Sequence, residues 1–124
     1  MTYDEIIQTM HEYYEGLFPK ACPRCGRNFA TLREYILNTR RVDPTYCYDA
    51  EMGNWEPTQP VGTLAYATCS CGDTLALSTT ALPLETRHSG LNWLRVETER
   101  RGLSPAELLG QMRDEIRKRV LAGP

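Results

Sequence analysis

Cys22-Pro23-Arg24-Cys25-Gly26-Arg27-Asn28-Phe29 sets two thiols three positions apart on a tight turn followed by glycine. A second pair, Cys69-Ser70-Cys71-Gly72, follows after 43 intervening residues. Two thiolates on one turn fill two corners of a metal tetrahedron only if the backbone curls around the ion, and a glycine after the second Cys supplies the positive φ that such a turn often needs. Both pairs have it. Cys22, Cys25, Cys69 and Cys71 are therefore expected to hold one zinc ion in a closed four-thiolate shell. With no open position for water or substrate, that ion is structural. Arg24 and Arg27 are placed to offset the negative charge that four thiolates leave on a divalent ion.

Working outward, residues 62–68 and 74–79 alternate apolar and polar side chains well enough for two strands, which puts the Cys69–Asp73 turn at the tip of a hairpin. Before the first pair, Thr2-Tyr3-Asp4-Glu5 has the form of a capping box, and Ile6, Ile7, Met10, Tyr13, Tyr14 and Leu17 recur at the spacing of one helical face. This predicts a helix over 3–16, ended by Gly16 and Pro19. Thr31-Leu32-Arg33-Glu34 repeats the capping pattern and predicts a short helix over 31–39. From 43 to 60 the chain carries four Pro or Gly residues, so a loop is expected there, with one short strand near Tyr46-Cys47-Tyr48. Residues 91–101 are read as a helix stopped by Gly102. Ser104-Pro105-Ala106-Glu107 opens the last one, whose Leu108, Leu109, Met112, Ile116 and Val120 share a face.

These elements predict a single α+β domain over 1–124: an N-terminal helical part at 1–20, a core with a small antiparallel sheet and a long loop at 21–80, and a helical pair at 89–121. The chain has 124 residues, 41% apolar and 24% charged, which is ordinary globular composition. It shows no secretory start and no run of about 18 apolar residues, so it is expected in the cytoplasm, away from membranes. Cysteines in that reducing compartment favour metal binding over a disulfide framework. Net charge is −2, but residues 42–80 hold five acidic side chains and no Lys or Arg, so a nucleic-acid contact is expected only from the ends.

Cys-Pro-Arg-Cys-Gly followed by Cys-Ser-Cys-Gly at a hairpin tip resembles a zinc ribbon, in which two knuckles from separate β-turns grip one ion. That resemblance covers residues 22–29 and 62–79 and implies a structural zinc site without implying a task. A weaker resemblance links Arg100-Arg101-Gly102-Leu103-Ser104-Pro105-Ala106-Glu107-Leu108-Leu109 to the helix joint of ribbon-helix-helix regulators, which implies DNA binding through a preceding basic strand. Arg87 is the only basic side chain in 74–88. The CPxC turn is also similar to that of glutaredoxin-like oxidoreductases, but there it follows a strand and opens a long helix. A Cys2His2 finger would need a histidine where Asn38 stands.

His11 and His88 have no partner at ligand spacing, the latter being read at a helix start. Cys47 reads as a small buried apolar group. Tyr46, Tyr48, Trp55 and Glu56, in an aromatic and acidic stretch, are the candidate surface for a protein partner. No carboxylate pair, phosphate-cradling Gly loop or Ser/His/Asp set is visible, so no enzyme is expected. The first expectation is a regulatory or adaptor module that binds a protein. The alternatives are a nucleic-acid-binding regulator using Arg40, Arg41 and the C-terminal basic residues, and a thiol redox or other enzyme. The chain is expected as a monomer, or as a homodimer through Leu109, Met112, Ile116 and Val120.

Overall fold

Thr2 starts the first helix as its sequence predicts. Its hydroxyl accepts from the Glu5 N–H at 3.1 Å, and the Glu5 carboxylate accepts from the Thr2 N–H at 3.1 Å. The helix that follows, α1, spans Tyr3–Glu15 and buries Ile6 and Ile7. The structure is a computed structural model describing residues 1–48 and 62–123, with Tyr48 in its backbone alone. In those residues α1 is followed by β1 (Lys20–Ala21), β2 (Asn28–Phe29), α2 (Leu32–Asn38), β3 (Thr39–Tyr48), β4 (Gly62–Cys69), β5 (Thr74–Ser78), α3 (Leu84–Arg101) and α4 (Pro105–Ala122). The class is α+β.

Two antiparallel sheets organise the strands. β1 and β2 form a two-stranded ribbon, with Lys20 opposite Phe29 and Ala21 opposite Asn28. The second sheet runs in the order β3-β4-β5, so β4 is central. Leu64, Ala65, Ala67 and Cys69 of β4 are all buried, as a strand flanked on both edges and covered by helices should be. β5 keeps the clean alternation of Leu75 and Leu77 inward.

β3 is longer than the short strand expected near residue 47. It begins directly after α2 and pairs along β4 from Thr39 opposite Cys69 to Tyr48 opposite Gly62, with a register shift between Val42 and Tyr46. Pro44 lies in that shift, where the ladder does not need the N–H that proline lacks. By type, a proline signals a loop. On an edge strand it is accommodated by an irregularity instead.

α3 also begins earlier than expected, at Leu84 in place of Leu91. Pro83 occupies its N-cap without a side-chain cap, and Arg87 N–H donates to the Pro83 carbonyl at 2.9 Å. Gly90, just before the expected start, is inside the helix. A Cβ built there would stand 3.4 Å from the Ile6 side chain, an ordinary contact distance, so this position of α3 faces α1. His88 accordingly sits on an exposed face of α3 and not at a helix start. At the other end Gly102 takes φ +67, and Leu103 N–H donates to the Thr98 carbonyl at 3.1 Å, closing the helix by a left-handed cap.

α4 packs against β3, α1, α3 and α2. Its Leu108, Leu109, Met112, Ile116 and Val120 are buried within the chain, so the face considered for dimerisation is already covered by the chain's own core. Ser104 and Glu107 complete the second capping box, each bond at 3.1 Å. α2 has only half of one. Thr31 accepts from Glu34 N–H, but the Glu34 carboxylate reaches past it to Ala30 N–H at 2.8 Å. Arg33 of α2 then extends to the α4 terminus, donating to the carbonyls of Val120 and Leu121. These carbonyls have no partner inside the helix, and the cation also suits the negative end of its dipole.

Candidate metal centre

The four sulfurs come from two turns of like construction. After β1, Cys22 N–H donates to the Arg27 carbonyl and Gly26 N–H donates back to the Cys22 carbonyl, both at 2.9 Å. After β4, Cys69 N–H donates to the Asp73 carbonyl at 2.9 Å and Gly72 N–H to the Cys69 carbonyl at 2.8 Å. Gly26 and Gly72 take φ of +76° and +95°, where a side chain would strain the backbone. Each turn curls its N–H groups and thiols toward one side, and the two sides face each other.

All four sulfurs lie within 4.8 Å of one another. The pairs Cys22–Cys71 and Cys25–Cys69 are 3.7 Å apart. Disulfide sulfurs would be about 2.05 Å apart, so these are free thiols converging on a point and able to hold a metal ion. Cys22 and Cys69 are buried, Cys71 is half-buried and Cys25 is exposed. The group therefore joins the edge of the core to the surface.

Arginines from the first turn lean across to the second. Arg27 donates to the Ser70 hydroxyl at 3.4 Å and to the Asn38 side-chain oxygen at 2.9 Å, and its guanidinium lies 5.7 Å from the centre of the Phe29 ring. An Arg24 nitrogen stands 3.9 Å from where a Cβ on Gly72 would be. Phe29 itself is fully buried, edge-on to Tyr35 at 5.5 Å, and forms the floor beneath the first turn. Asp73 acts in the other direction, with a carboxylate oxygen 3.9 Å from the Cys22 sulfur.

In the metal-free cluster, Cys69 ionises more readily than an ordinary thiol. The Cys71 N–H points at its sulfur and, against the cost of burial and with help from the neighbouring thiols, lowers its pKa to about 7. Cys71 gains from the Asp73 N–H, but lost hydration and its bonds to the other three sulfurs outweigh that and push it up to about 11. One thiolate is easy to form in this cluster and the next is costly, until a cation enters.

No protein-family model, curated protein or solved structure matches the chain.

Of the remaining candidates, Cys47 is buried in β3, and burial raises its thiol to about 11, which removes it from thiolate chemistry near neutral pH. His11 pairs with Glu15 at 3.3 Å along α1. Tyr46 lies on β3 with its ring 6.2 Å from that of Tyr66. Tyr48 closes β3, while Trp55 and Glu56 lie outside the described residues. Among the described residues no helix is long and apolar enough to cross a membrane.

A half-buried cation not expected from the sequence lies between α4 and the sheet. Arg113 of α4 points at the sheet, donating to the carbonyls of Val42 at 2.9 Å and Tyr66 at 2.6 Å. The signal was present: residue 113 is four positions after buried Leu109 and three before buried Ile116, on the apolar face itself.

Proposed function

We propose that this chain is a non-enzymatic, zinc-stabilised regulatory or adaptor module of zinc-ribbon type, built to present a surface to a protein partner. The observation that carries the zinc assignment is the sulfur spacing. Four sulfurs each 2.3 Å from a zinc ion would lie about 3.8 Å apart, against 3.7 Å for the Cys22–Cys71 and Cys25–Cys69 pairs here. An all-cysteine donor set suits a soft, tetrahedral ion, and four protein ligands close the shell. Zinc bound there would fasten the β1–β2 ribbon to the β4–β5 hairpin and leave no position for substrate.

The adaptor reading follows from what surrounds this clamp. Among the described residues no histidine or carboxylate joins the four cysteines as a ligand group, and Cys47 is buried in β3. The nucleic-acid alternative draws less support from the basic residues. Arg41 is held by Asp43 and Asp114, Arg100 and Arg101 by Glu97, and Arg119 by Asp4 and Glu115. Arg40, Arg117 and Lys118 are left exposed, and a DNA-binding role would depend on them.

Elemental analysis of the purified chain tests the zinc assignment: one zinc per chain is expected, with Cys71→Ser losing the metal and melting at a lower temperature. A Cys71→Ser protein that keeps a full zinc, or that loses it with no change in stability, would overturn the structural-zinc reading. Titration with duplex DNA separates the two binding readings, since an affinity that falls steeply with salt and disappears in Arg117→Ala/Lys118→Ala would replace the adaptor proposal.

A further inference from the structure

Away from the cysteines, a cavity of about 90 Å³ lies between the β3-β4-β5 sheet and helices α1, α2 and α4. A single water needs only about 10–15 Å³ measured this way, so the space suits several waters or one small molecule. Most of its wall is apolar, with Leu77, Leu109 and Met112 among the lining side chains. Several hydroxyls interrupt that wall, and those of Tyr35 and Thr45 are unsatisfied. The two residues are 3% and 5% exposed, and neither hydroxyl has a hydrogen-bond partner among the described residues.

A buried hydroxyl without a partner costs about 1–3 kcal/mol, and two at one cavity call for a common explanation. The charges of the wall supply it. Arg41, Arg113 and Arg117 line the cavity, and no described carboxylate does. Asp43 and Asp114 are bound to Arg41 and turn toward solvent, 62% and 68% exposed. Arg113 has no carboxylate partner among the described residues, although its charge is felt at the hydroxyls of both Tyr14 and Tyr35. Lost hydration, then the repulsion of Arg41, lower the pKa of Arg113, and Asp43 offsets only part of this. A guanidinium stays charged in a protein, so the deficit is one of an anion and not of a proton.

We propose that this cavity binds a small organic carboxylate, with the Tyr35 and Thr45 hydroxyls donating to its oxygens, the Arg113 charge balancing it, and a short apolar tail lying against Leu77, Leu109 and Met112. The site is independent of the cysteine cluster. It gives the domain a means to sense a metabolite-sized acid, because α4, β3 and β4 meet around the ligand. Inorganic phosphate would satisfy the charge but leave the apolar wall unfilled, and a neutral amide would do the reverse.

Thermal unfolding and calorimetric titration with sodium butyrate provide the test, with butyramide and inorganic phosphate as matched probes. Butyrate is expected to bind saturably and raise the melting temperature as mass action requires, and the other two to act at least about tenfold more weakly. Tyr35→Phe and Thr45→Val keep the shape of the wall, and each is expected to weaken butyrate binding about tenfold or more, as removal of a hydrogen bond to a charged group does. Arg113→Met is expected to abolish binding. Because Arg113 also ties β3 to β4, the hydroxyl variants carry the test if that protein does not fold. Absence of saturable butyrate binding would overturn the proposal and leave the cavity to water. Equal binding of butyramide, or undiminished binding by both hydroxyl variants, would overturn it as well.

Discussion

At the scale of single residues, the five cysteines separate into two kinds. Cys22, Cys25, Cys69 and Cys71 converge within 4.8 Å, while Cys47 is buried elsewhere with its thiol raised to about 11. In the metal-loaded protein a thiol reagent at neutral pH should find none of the five. After chelation it should modify the four, Cys25 first because it is the exposed one, and leave Cys47 untouched until the chain unfolds. Rapid modification of Cys47 in the folded protein would contradict its placement. Metal affinity should also depend on pH in a defined sense. Above about 7 Cys69 is already ionised, whereas below it the entering metal must also displace the Cys69 proton, so affinity should fall more steeply as the pH drops. A competitive chelator titration between pH 6 and 8 reads this slope, on the order of one further proton per metal on the acid side. The pairing of these four residues was legible because each pair carries its own glycine. Arg113 was less so, since a basic side chain in a helix is ordinarily solvated.

At the scale of elements, helix ends were the most readable features. Thr2, Ser104 and Gly102 act where their types predict, because caps satisfy backbone groups within a few residues of chain. Ser104→Ala should cost about 1 kcal/mol by denaturant unfolding. Leu108→Ala, in the same helix and with no exposed surface, should cost about 2–5 kcal/mol, and equal effects would mean that the core is placed wrongly. The end of α3 carries a pH-dependent contribution. Arg100 and then Arg101 bond to Glu97 and bring its pKa down to about 2 from an ordinary 4.5. A depressed carboxylate stabilises the fold fully above its unfolded pKa and loses that contribution as pH falls from 4.5 toward about 2. Glu97→Gln should therefore flatten acid destabilisation in that window. The start of α3 escaped the sequence because Pro83 offers no side-chain cap and Gly90 looks like a break. Gly90 instead lies inside α3, on the side that faces Ile6 of α1.

At the scale of the whole molecule, the cysteine cluster connects the small ribbon to the sheet that carries the core. Chelation should lower the melting temperature by several degrees or more while α3 and α4, remote from the sulfurs, keep their helical signal longest. Simultaneous loss of all structure would show that the metal holds the entire domain. The sequence alone determined what depends on near neighbours: the two thiol turns, the capped helices, the alternation of β5 and hence an α+β chain with a candidate metal site. Tertiary structure decided what depends on distant ones. It extended β3 along β4 past Pro44, covered the apolar face of α4 and brought Tyr35, Thr45 and Arg113 to one cavity. Caps and turns are stabilised by bonds spanning three or four residues, so a local pattern encodes them. The cavity is the space between elements whose separation in sequence says nothing of their packing, and its charge balance exists only after they meet.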